Sequence, residues 1–201
     1  MIKNKHMGEQ NMNLESIKNA KTKYIGKEIE YFKEIPSTHT YAKEIAMQEK
    51  QNGKIIIAEA QTNGIGTKGR TWYTGESKNI ALTIILKPEW AISRLEGLTV
   101  KIAKCMQKAI QELYGIGLEI KEPNDLMLNG KKICGILTEI NTIAEKMNYL
   151  LISFGFNVNE DYFSKETEDI ATSLKKEFGK EFSREDIITK FIEILEKEIE
   201  L

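Results

Sequence analysis

The residues best suited to chemistry lie in a glycine-rich stretch between two apolar runs, residues 59–72, which reads EAQTNGIGTKGRTW. Three glycines interrupt this stretch: Gly64, Gly66 and Gly69. Lys68 and Arg70 can neutralise a carboxylate or a phosphate, and Trp72 offers a flat face for a ring. The stretch lacks the Gly-Lys-Ser/Thr of a Walker loop and leads into a strand. Spacing alone therefore leaves two interpretations, a solvated hairpin loop and an anion-binding cradle.

A second polar group lies in residues 121–137, KEPNDLMLNGKKICGIL. Two pairs of residues flank its central turn: Asn124 and Asp125 before it, and Lys131 and Lys132 after it. A carboxylate and two ammonium groups on one short hairpin suit a nucleotide phosphate and a metal ion, but a charged surface hairpin is the alternative. Gly135 within the return strand favours a close approach, because a glycine inside an apolar strand often marks one.

Two further stretches give weaker signals. The triplet Ser37-Thr38-His39 precedes a helical pattern and is typical of a helix cap. No Asp or Cys partner for His39 is evident in the sequence, so a nucleophilic triad is not predicted. Residues 153–159, SFGFNVN, end an apolar run in a glycine and two asparagines, which indicates a turn and at most a ligand contact.

The composition is that of an ordinary soluble globular protein, with 201 residues, 41% hydrophobic and 29% charged. The net charge of −1 gives no footprint for a polyanion, so a nucleic-acid partner is not predicted. No apolar run approaches the roughly 18 residues of a membrane helix, and the start of the chain has no signal-peptide pattern, so we expect a cytoplasmic protein. Cys105 and Cys134 lie in apolar segments, which favours two reduced core thiols over a metal or redox site.

Apolar periodicity predicts the elements that must position these residues. Strands are predicted at residues 24–32, 54–60, 79–87, 126–128, 133–140 and 148–158. Helices are predicted after Ser37, over residues 93–114 and after Ser183, and Asn129-Gly130 predicts a tight hairpin turn. Strands mostly follow strands, with helices inserted singly. This order favours an α+β domain with a mixed, largely antiparallel sheet and flanking helices.

Taken in order, five motifs closely resemble those of the biotin–protein ligases. They are Ser-Thr at a helix start, Gln-Thr-x-Gly-x-Gly-x-x-Gly-Arg-x-Trp, Pro-Asn-Asp, Gly-Lys-Lys with Gly-Ile-Leu, and Gly-x-Asn-Val-Asn. The resemblance covers residues 24–201 and implies the catalytic-core fold of class II aminoacyl-tRNA synthetases and lipoate ligases. It also implies ATP, Mg²⁺ and biotin as ligands and biotinyl-5′-AMP as intermediate. The implied acceptor is a lysine of a biotin carboxyl carrier protein domain of acetyl-CoA carboxylase or a related carboxylase, and a homodimer is among the implied assemblies.

The resemblance further assigns roles to individual residues. The residues implied to bind biotin are Ser37, Thr38, His39, Gln61, Gly64, Ile65, Gly66, Thr67, Lys132 and Gly135. Those implied to bind ATP are Arg70, Trp72, Asn124, Lys132 and Asn157. Lys132 is the implied central cation, in contact with the biotin carboxylate and the α-phosphate, and Arg70 is the implied phosphate clamp. Asp125 is the implied Mg²⁺ ligand.

Several positions depart from the family pattern. Ile65 and Thr67 replace both arginines of the usual Gly-Arg-Gly-Arg, which hold the adenylate in family members. Glu122 stands in place of a Trp, His39 in place of an Asn and Ser153 in place of a Gly. These departures leave two alternatives to a biotin ligase: a diverged, non-catalytic protein that binds biotin or biotinyl-adenylate, and a ligase for lipoate or another acyl group.

The domain boundaries follow from the same comparison. Residues 1–23 are polar and rich in Asn and Lys, and we expect a mobile or appended segment or a linker there. They are too few for a helix-turn-helix domain, and the chain ends where the family's small C-terminal β domain would begin. We therefore expect one catalytic domain at residues 24–201 and no repressor function.

Overall fold

The protein was analysed as a computed structural model, which describes residues 12–48, 51–74, 78–143 and 146–199. The described strands are β1 Ile29–Ile35, β2 Ile55–Gln61, β3 Ile80–Leu86, β4 Glu119–Lys121, β5 Asp125–Leu128, β6 Lys131–Ile143 and β7 Lys146–Phe156. The described α-helices are α1 Leu14–Lys18, α2 Thr38–Ile45, α3 Leu98–Tyr114, α4 Leu174–Phe178 and α5 Arg184–Ile199. Short 3₁₀ turns lie at Thr67–Gly69 and Ile92–Leu95.

The strands form one seven-stranded sheet in the order β1-β2-β3-β7-β6-β5-β4. The β1–β2 pair is parallel, because α2 carries the chain back across the sheet between them, and every other pair is antiparallel. The predicted mixed, largely antiparallel sheet is confirmed. In the described part of the chain, no helix is long and apolar enough to cross a membrane.

The two faces of the sheet carry separate apolar layers. The larger layer lies between the sheet and helices α1, α3 and α5, and the smaller one lies beneath α2. Alternation along the strands sorts side chains between them, so that Ile84 joins the larger layer whereas Ile85 and Leu151 join the smaller. Thr83 and Ser153 follow the same alternation as Ile85 and Leu151. They therefore face α2, where the apolar layer gives way to polar groups.

The hairpin turn and the two cysteines agree with the predictions made from the sequence. Asn129 and Gly130 both have positive φ angles, 51° and 75°, as a tight turn between β5 and β6 requires. Cys105 and Cys134 are free and buried. Burial raises the pKa of the Cys105 thiol to about 11 and raises that of Cys134 as well, so both are protonated core side chains near neutral pH.

Two predicted boundaries were wrong. The strand predicted at 24–32 runs from Ile29 to Ile35, after a turn in which Gly26 has a φ of 82°. The helix predicted over 93–114 begins at Leu98, because Gly97 in the left-handed conformation separates it from a 3₁₀ turn. The apolar pattern continues through both breaks. Gly26 and Gly97 were the features of the sequence that could have located them.

The start of the chain also differs from the expected mobile or appended segment. From Met12 onward it belongs to the core: Ile17 of α1 is fully buried in the larger apolar layer, which α5 shares. The carboxylate of Glu196 on α5 accepts hydrogen bonds from the backbone N–H groups of Lys23, Tyr24 and Ile25. A helix of little more than one turn is too short for the 3.6-residue repeat of its apolar residues to predict that it is buried. Residues 1–11 lie outside the described residues.

The strand that leads into the glycine-rich loop is fixed by a buried ion pair. Arg184, the first residue of α5, donates to both carboxylate oxygens of Glu59, at 2.5 and 3.2 Å, and Tyr31 donates to the same carboxylate. Glu59 and Arg184 are almost completely buried. Glu59 therefore ties β2 to α5 and does not enter the cavity described below.

Candidate active site

One cavity brings together residues from distant parts of the sequence. It lies where the loop after β2 crosses the sheet beside the start of α2, and residues from β3, β6 and β7 complete its walls. The predicted site residues that line it are Ser37, Thr38, His39, Gln61, Ile65, Gly66, Thr67, Trp72, Asn124, Lys132 and Gly135. Apolar residues line it as well: Leu82, Ile136, Leu137 and Phe154. The cavity is thus partly apolar, with a limited set of polar groups, as small-molecule sites usually are.

The start of α2 forms one polar wall. Ser37 caps the helix, with its Oγ accepting from the backbone N–H of Thr40 at 3.3 Å, as the sequence predicted. The backbone N–H of Thr38 donates to Oε1 of Gln61 at 2.8 Å, and the Thr38 hydroxyl lies 3.2 Å from the same oxygen. Gln61 Nε2 in turn donates to Thr74 Oγ1 at 3.3 Å. These bonds hold the amide of Gln61 in one orientation beside the cavity.

A line of side chains extends this wall across the sheet. Thr83 Oγ1 donates to Thr38 Oγ1 at 3.0 Å and lies 2.9 Å from Ser153 Oγ. Ser153 Oγ is 2.8 Å from Nδ1 of His39, whose Nε2 is 3.0 Å from Oε2 of Glu139. All but Glu139 are buried. The sequence analysis missed Thr83 and Glu139 and noted Ser153 only as a departure; a lone hydroxyl within each of two apolar strands was the signal available.

The far end of that line is charged. Lys43, one turn along α2 from His39, approaches Glu139 Oε1 to 2.8 Å. Partial burial alone would raise the pKa of Glu139, but hydrogen bonds from Lys43 and His39 outweigh it and hold the pKa below its usual value. Glu139 is therefore an anion near neutral pH.

The glycine-rich loop closes on itself. Trp72 N donates to Gly64 O at 2.9 Å, Gly66 N donates to Arg70 O at 2.7 Å, and Ile65 pairs with Thr71. A Cβ on Gly64 would lie 2.3 Å from the carbonyl oxygen of Trp72. Gly64 is therefore needed for packing within the loop, and the N–H of Gly66 is bonded within the loop and not free for an anion.

The loop places Trp72 in the wall of the cavity. Its indole ring lies directly over the backbone of Gly155, where a Cβ would come within 2.1 Å of ring atoms, and beside Gly135, where the corresponding distance is 3.1 Å. Lys132 Nζ is 5.4 Å from the ring centroid. The indole Nε1 is buried and has no hydrogen-bond partner within the described residues. The two glycines form a slot for the ring, and Gly155 is a site residue that the sequence analysis did not select.

Lys132 lines the same cavity as the polar wall. Its ammonium group pairs with Asp125 Oδ1 at 2.7 Å, and Asn124 Nδ2 donates to the same oxygen at 3.0 Å. Antiparallel pairing of β5 with β6 brings the three together, with Asp125 opposite Gly135. The backbone of Lys132 bonds to residues 170 and 172 on its other side. Lys132 is therefore held from both sides.

The other predicted site residues lie away from the cavity lining. Arg70 is exposed and Gly64 is buried, and neither residue lines the cavity. Asp125 does not line the cavity but pairs with Lys132, which does. Asn157 is buried, and its Nδ2 donates to the carbonyl of Thr172 at 3.1 Å, which positions the segment beside Lys132. Ligand roles for these four residues, as for those that line the cavity, stay predictions.

Comparisons with known proteins agree on one family. A model of the biotin/lipoate A/B protein ligase family matches residues 31–157. The bifunctional ligase/repressor BirA of Bacillus spizizenii is 35% identical over 179 residues, which cover 88% of this chain and 55% of that relative. BirA of Escherichia coli is 30% identical over 124 residues, covering 62% of this chain and 38% of that relative. The chain thus spans about half the length, or less, of these curated relatives.

A solved structure supports the same conclusion. The biotin protein ligase from Aquifex aeolicus in complex with biotin and ATP matches with a TM-score of 0.74 and 26% identity. The match covers 87% of this chain and 71% of the Aquifex chain.

Proposed function

Because the chain belongs to the biotin/lipoate A/B protein ligase family, we propose that it is an ATP-dependent biotin–protein ligase. It forms biotinyl-5′-AMP and transfers biotin to a lysine of a carrier domain. The observation that carries the proposal is the position of Lys132, which lines the same cavity as the polar wall and is held by Asp125 at 2.7 Å. The structurally similar Aquifex ligase binds both biotin and ATP.

The first chemical step joins two anions. A carboxylate oxygen of biotin attacks the α-phosphorus of ATP, an oxygen–phosphorus bond forms, and the bond to pyrophosphate breaks. Charge neutralisation and alignment are therefore the main catalytic demands. The ammonium group of Lys132 supplies the charge. Asp125 holds this group at 2.7 Å, and bonds to residues 170 and 172 fix the backbone of Lys132.

The polar wall suits the fused ring of biotin. A cyclic urea has two N–H donors and one carbonyl acceptor, and the wall offers hydroxyl groups and an amide on Ser37, Thr38, Gln61 and Ser153. Leu82, Ile136 and Phe154 provide apolar surface for the carbon and sulfur atoms. Specificity for biotin then comes from the wall, and reactivity comes from the opposite end of the cavity.

The nucleotide lies on the side of Trp72 and Asn124 in this proposal. Arg70 and Asn157 are the further residues that the family pattern places there. Mg²⁺ bound to proteins usually keeps several waters and takes one or two carboxylates together with substrate phosphates. Asp125 is one such carboxylate beside the cavity, so it would hold Mg²⁺ that arrives with ATP; the ion would neutralise phosphate charge.

The second step uses a partner protein. The ε-amine of an acceptor lysine attacks the acyl carbon of the adenylate, an amide bond forms, and the bond to AMP breaks with loss of a proton from nitrogen. We propose that the partner is a biotin carboxyl carrier domain of a carboxylase. A cytoplasmic location and a homodimer are further predictions.

Two other functions each have an observation in their favour. Ile65 and Thr67 line the cavity at positions where the family pattern has arginines, which favours a protein that binds biotin or its adenylate without efficient catalysis. The matching family description also covers lipoate, which favours a ligase for that or another acyl group.

One assay distinguishes the three functions. Purified protein is incubated with ATP, Mg²⁺, labelled biotin and an apo carrier domain. We expect carrier labelling that falls by two orders of magnitude or more in Lys132→Ala, about the effect of removing one preorganised charged group. Lys131→Ala is the matched control, because Lys131 Nζ bonds the backbone of Glu168 outside the cavity. Biotin binding without pyrophosphate release would favour the binding protein, and labelling with lipoate alone would favour the third function.

A further inference from the structure

A continuous line of hydrogen bonds runs along the polar wall, from the Glu139 carboxylate to the Gln61 amide. It passes through one imidazole and three hydroxyl groups, those of His39, Ser153, Thr83 and Thr38. A hydroxyl group has one proton to donate. The number of protons in the line is therefore limited, and their direction can be worked out from its ends.

The Gln61 end fixes the first direction. Gln61 Oε1 accepts from the backbone N–H of Thr38, which can only donate, so this atom is the amide oxygen. The Thr38 hydroxyl must therefore donate to it, at 3.2 Å. Thr83 donates its own proton to Thr38, so it can only accept from Ser153. Ser153 then has no proton left for His39.

The His39 end follows from this. Ser153 Oγ, which donates to Thr83, must accept from Nδ1 of His39 at 2.8 Å. On the other side of the ring, the Glu139 carboxylate is an acceptor 3.0 Å from Nε2. The five contacts of the line need five protons; three hydroxyls supply three, so the ring must supply two. A wall in which all five contacts are hydrogen bonds therefore requires a protonated, cationic His39.

We infer that His39 is a positioning residue whose protonation sets the direction of the hydroxyl protons in the cavity wall and thereby couples biotin binding to proton uptake. This rests on the proposed function. When Nδ1 loses its proton, four protons remain for the five contacts, and Ser153 donates to His39, Thr83 to Ser153 and Thr38 to Thr83. The contact given up is that of the Thr38 hydroxyl with Gln61, because Gln61 Oε1 keeps the bond from the Thr38 backbone N–H. In the protonated form both donors of Thr38 hold the Gln61 amide, so the wall is ordered before biotin binds and the affinity is higher.

The charges around His39 permit this role. Glu139 of β6 contacts the ring directly, and Lys43 of α2 pairs with the other oxygen of Glu139 at 2.8 Å. Tyr149 of β7 interacts electrostatically with Lys43. Lys132 also lines the cavity, and its ammonium group pairs with Asp125. His39 itself is 6% exposed, so its second proton needs the Glu139 partner.

The test measures biotin affinity by calorimetry without ATP, between about pH 6 and pH 8, where histidine side chains commonly titrate. We expect the affinity for biotin to be about fivefold lower at the upper end of this pH range than at the lower end, the effect of one hydrogen bond. His39→Asn should remove this dependence. His6→Asn, the same change at the second of the two histidines in the chain, should retain it.

Ser153→Ala separates the line from the ring. It cuts the line but leaves the His39–Glu139 contact, so biotin affinity should lose its pH dependence while His39 still titrates in ¹⁵N NMR spectra. In the wild type, those spectra should show both ring nitrogens protonated at the lower pH. Biotin should raise the pH at which His39 loses its proton.

The outcomes are distinct. Biotin binding with the same pH dependence in wild type, His39→Asn and Ser153→Ala would overturn the inference and leave the proposed function intact. So would affinity that rises with pH, or a His39 ring with a single proton at the lower pH. Absence of biotin binding at every pH would instead overturn the proposed function.

Discussion

At the scale of single residues, the cavity depends on contacts that side-chain identity alone does not specify. Lys132 lies at the cavity because Asp125 and the backbone of residues 170 and 172 hold it there. Trp72 is a wall because two glycines on neighbouring strands leave room for its ring. Small changes beside these residues should therefore alter function as strongly as changes to the residues themselves.

Gly155→Ala tests the slot for Trp72. The added Cβ would lie 2.1 Å from ring atoms, so the indole must leave the slot. Since Trp72 is proposed to bound the nucleotide side, we expect the KM for ATP to rise about tenfold, the effect of losing one aromatic contact. Steady-state kinetics measures it. Gly117→Ala is the matched control, because its Cβ would meet only a Gln111 side-chain atom at 3.8 Å, and an equal change in KM there would contradict the steric explanation.

At the scale of elements, the β5–β6 hairpin and the segment that holds it were not equally predictable. The Asn-Gly turn and both strands follow from local sequence, because turn chemistry and alternation are short-range. The contact of residues 170 to 172 with Lys132 is long-range and has no local signal. In the same way, Ser37, Thr38 and Gln61 were predicted from a motif, whereas Glu139 reaches His39 only through the fold, 100 residues away in the chain.

Glu177 ties that segment to the turn. It accepts from Thr172 Oγ1 at 2.5 Å and Asn129 Nδ2 at 2.6 Å, and these bonds outweigh burial and lower its pKa. A lowered pKa means that the carboxylate stabilises the fold above its unfolded-state pKa and loses this contribution as pH falls through the folded-state pKa. Glu177→Gln should therefore cost about 1 kcal/mol of unfolding free energy at neutral pH and little in acid.

Urea denaturation at several pH values measures this cost. Glu181→Gln is the control, because that side chain is 72% exposed and pairs with Lys175 at the surface. A constant cost of Glu177→Gln across the pH range would show that the charge of Glu177 is not involved.

At the scale of the whole molecule, the described chain forms one body in which the first helix and the last are neighbours. Helix α1 lies against α5, and α5 is tied to β2 by the Arg184–Glu59 pair. The fold class was predictable because it depends on the order of strands and helices. The place of α1 was not, because its burial depends on a surface that α5 supplies about 170 residues later.

Ile17→Ala tests whether residues 12–23 support the domain. Ile17 is fully buried, and truncating a buried Ile typically costs about 2–4 kcal/mol. Thermal unfolding should show the loss as one cooperative transition at lower temperature. Ile143→Ala, the same change at a 56% exposed position, should stay within about 0.5 kcal/mol of wild type. Equal stability of the Ile17 variant and wild type would mean that α1 is not part of the cooperative unit.

The slot for Trp72 also gives the protein a built-in optical signal. The chain has two tryptophans, and Trp90 lies outside the cavity beside Arg94. Trp72 instead has its indole N–H buried and an ammonium group 5.4 Å from its ring centroid. Emission from an indole depends on the charges and solvent near it, so replacement of Trp90 by Phe would leave Trp72, at the proposed nucleotide side, as the one tryptophan of the chain. Each binding and release event could then be followed in real time without a label.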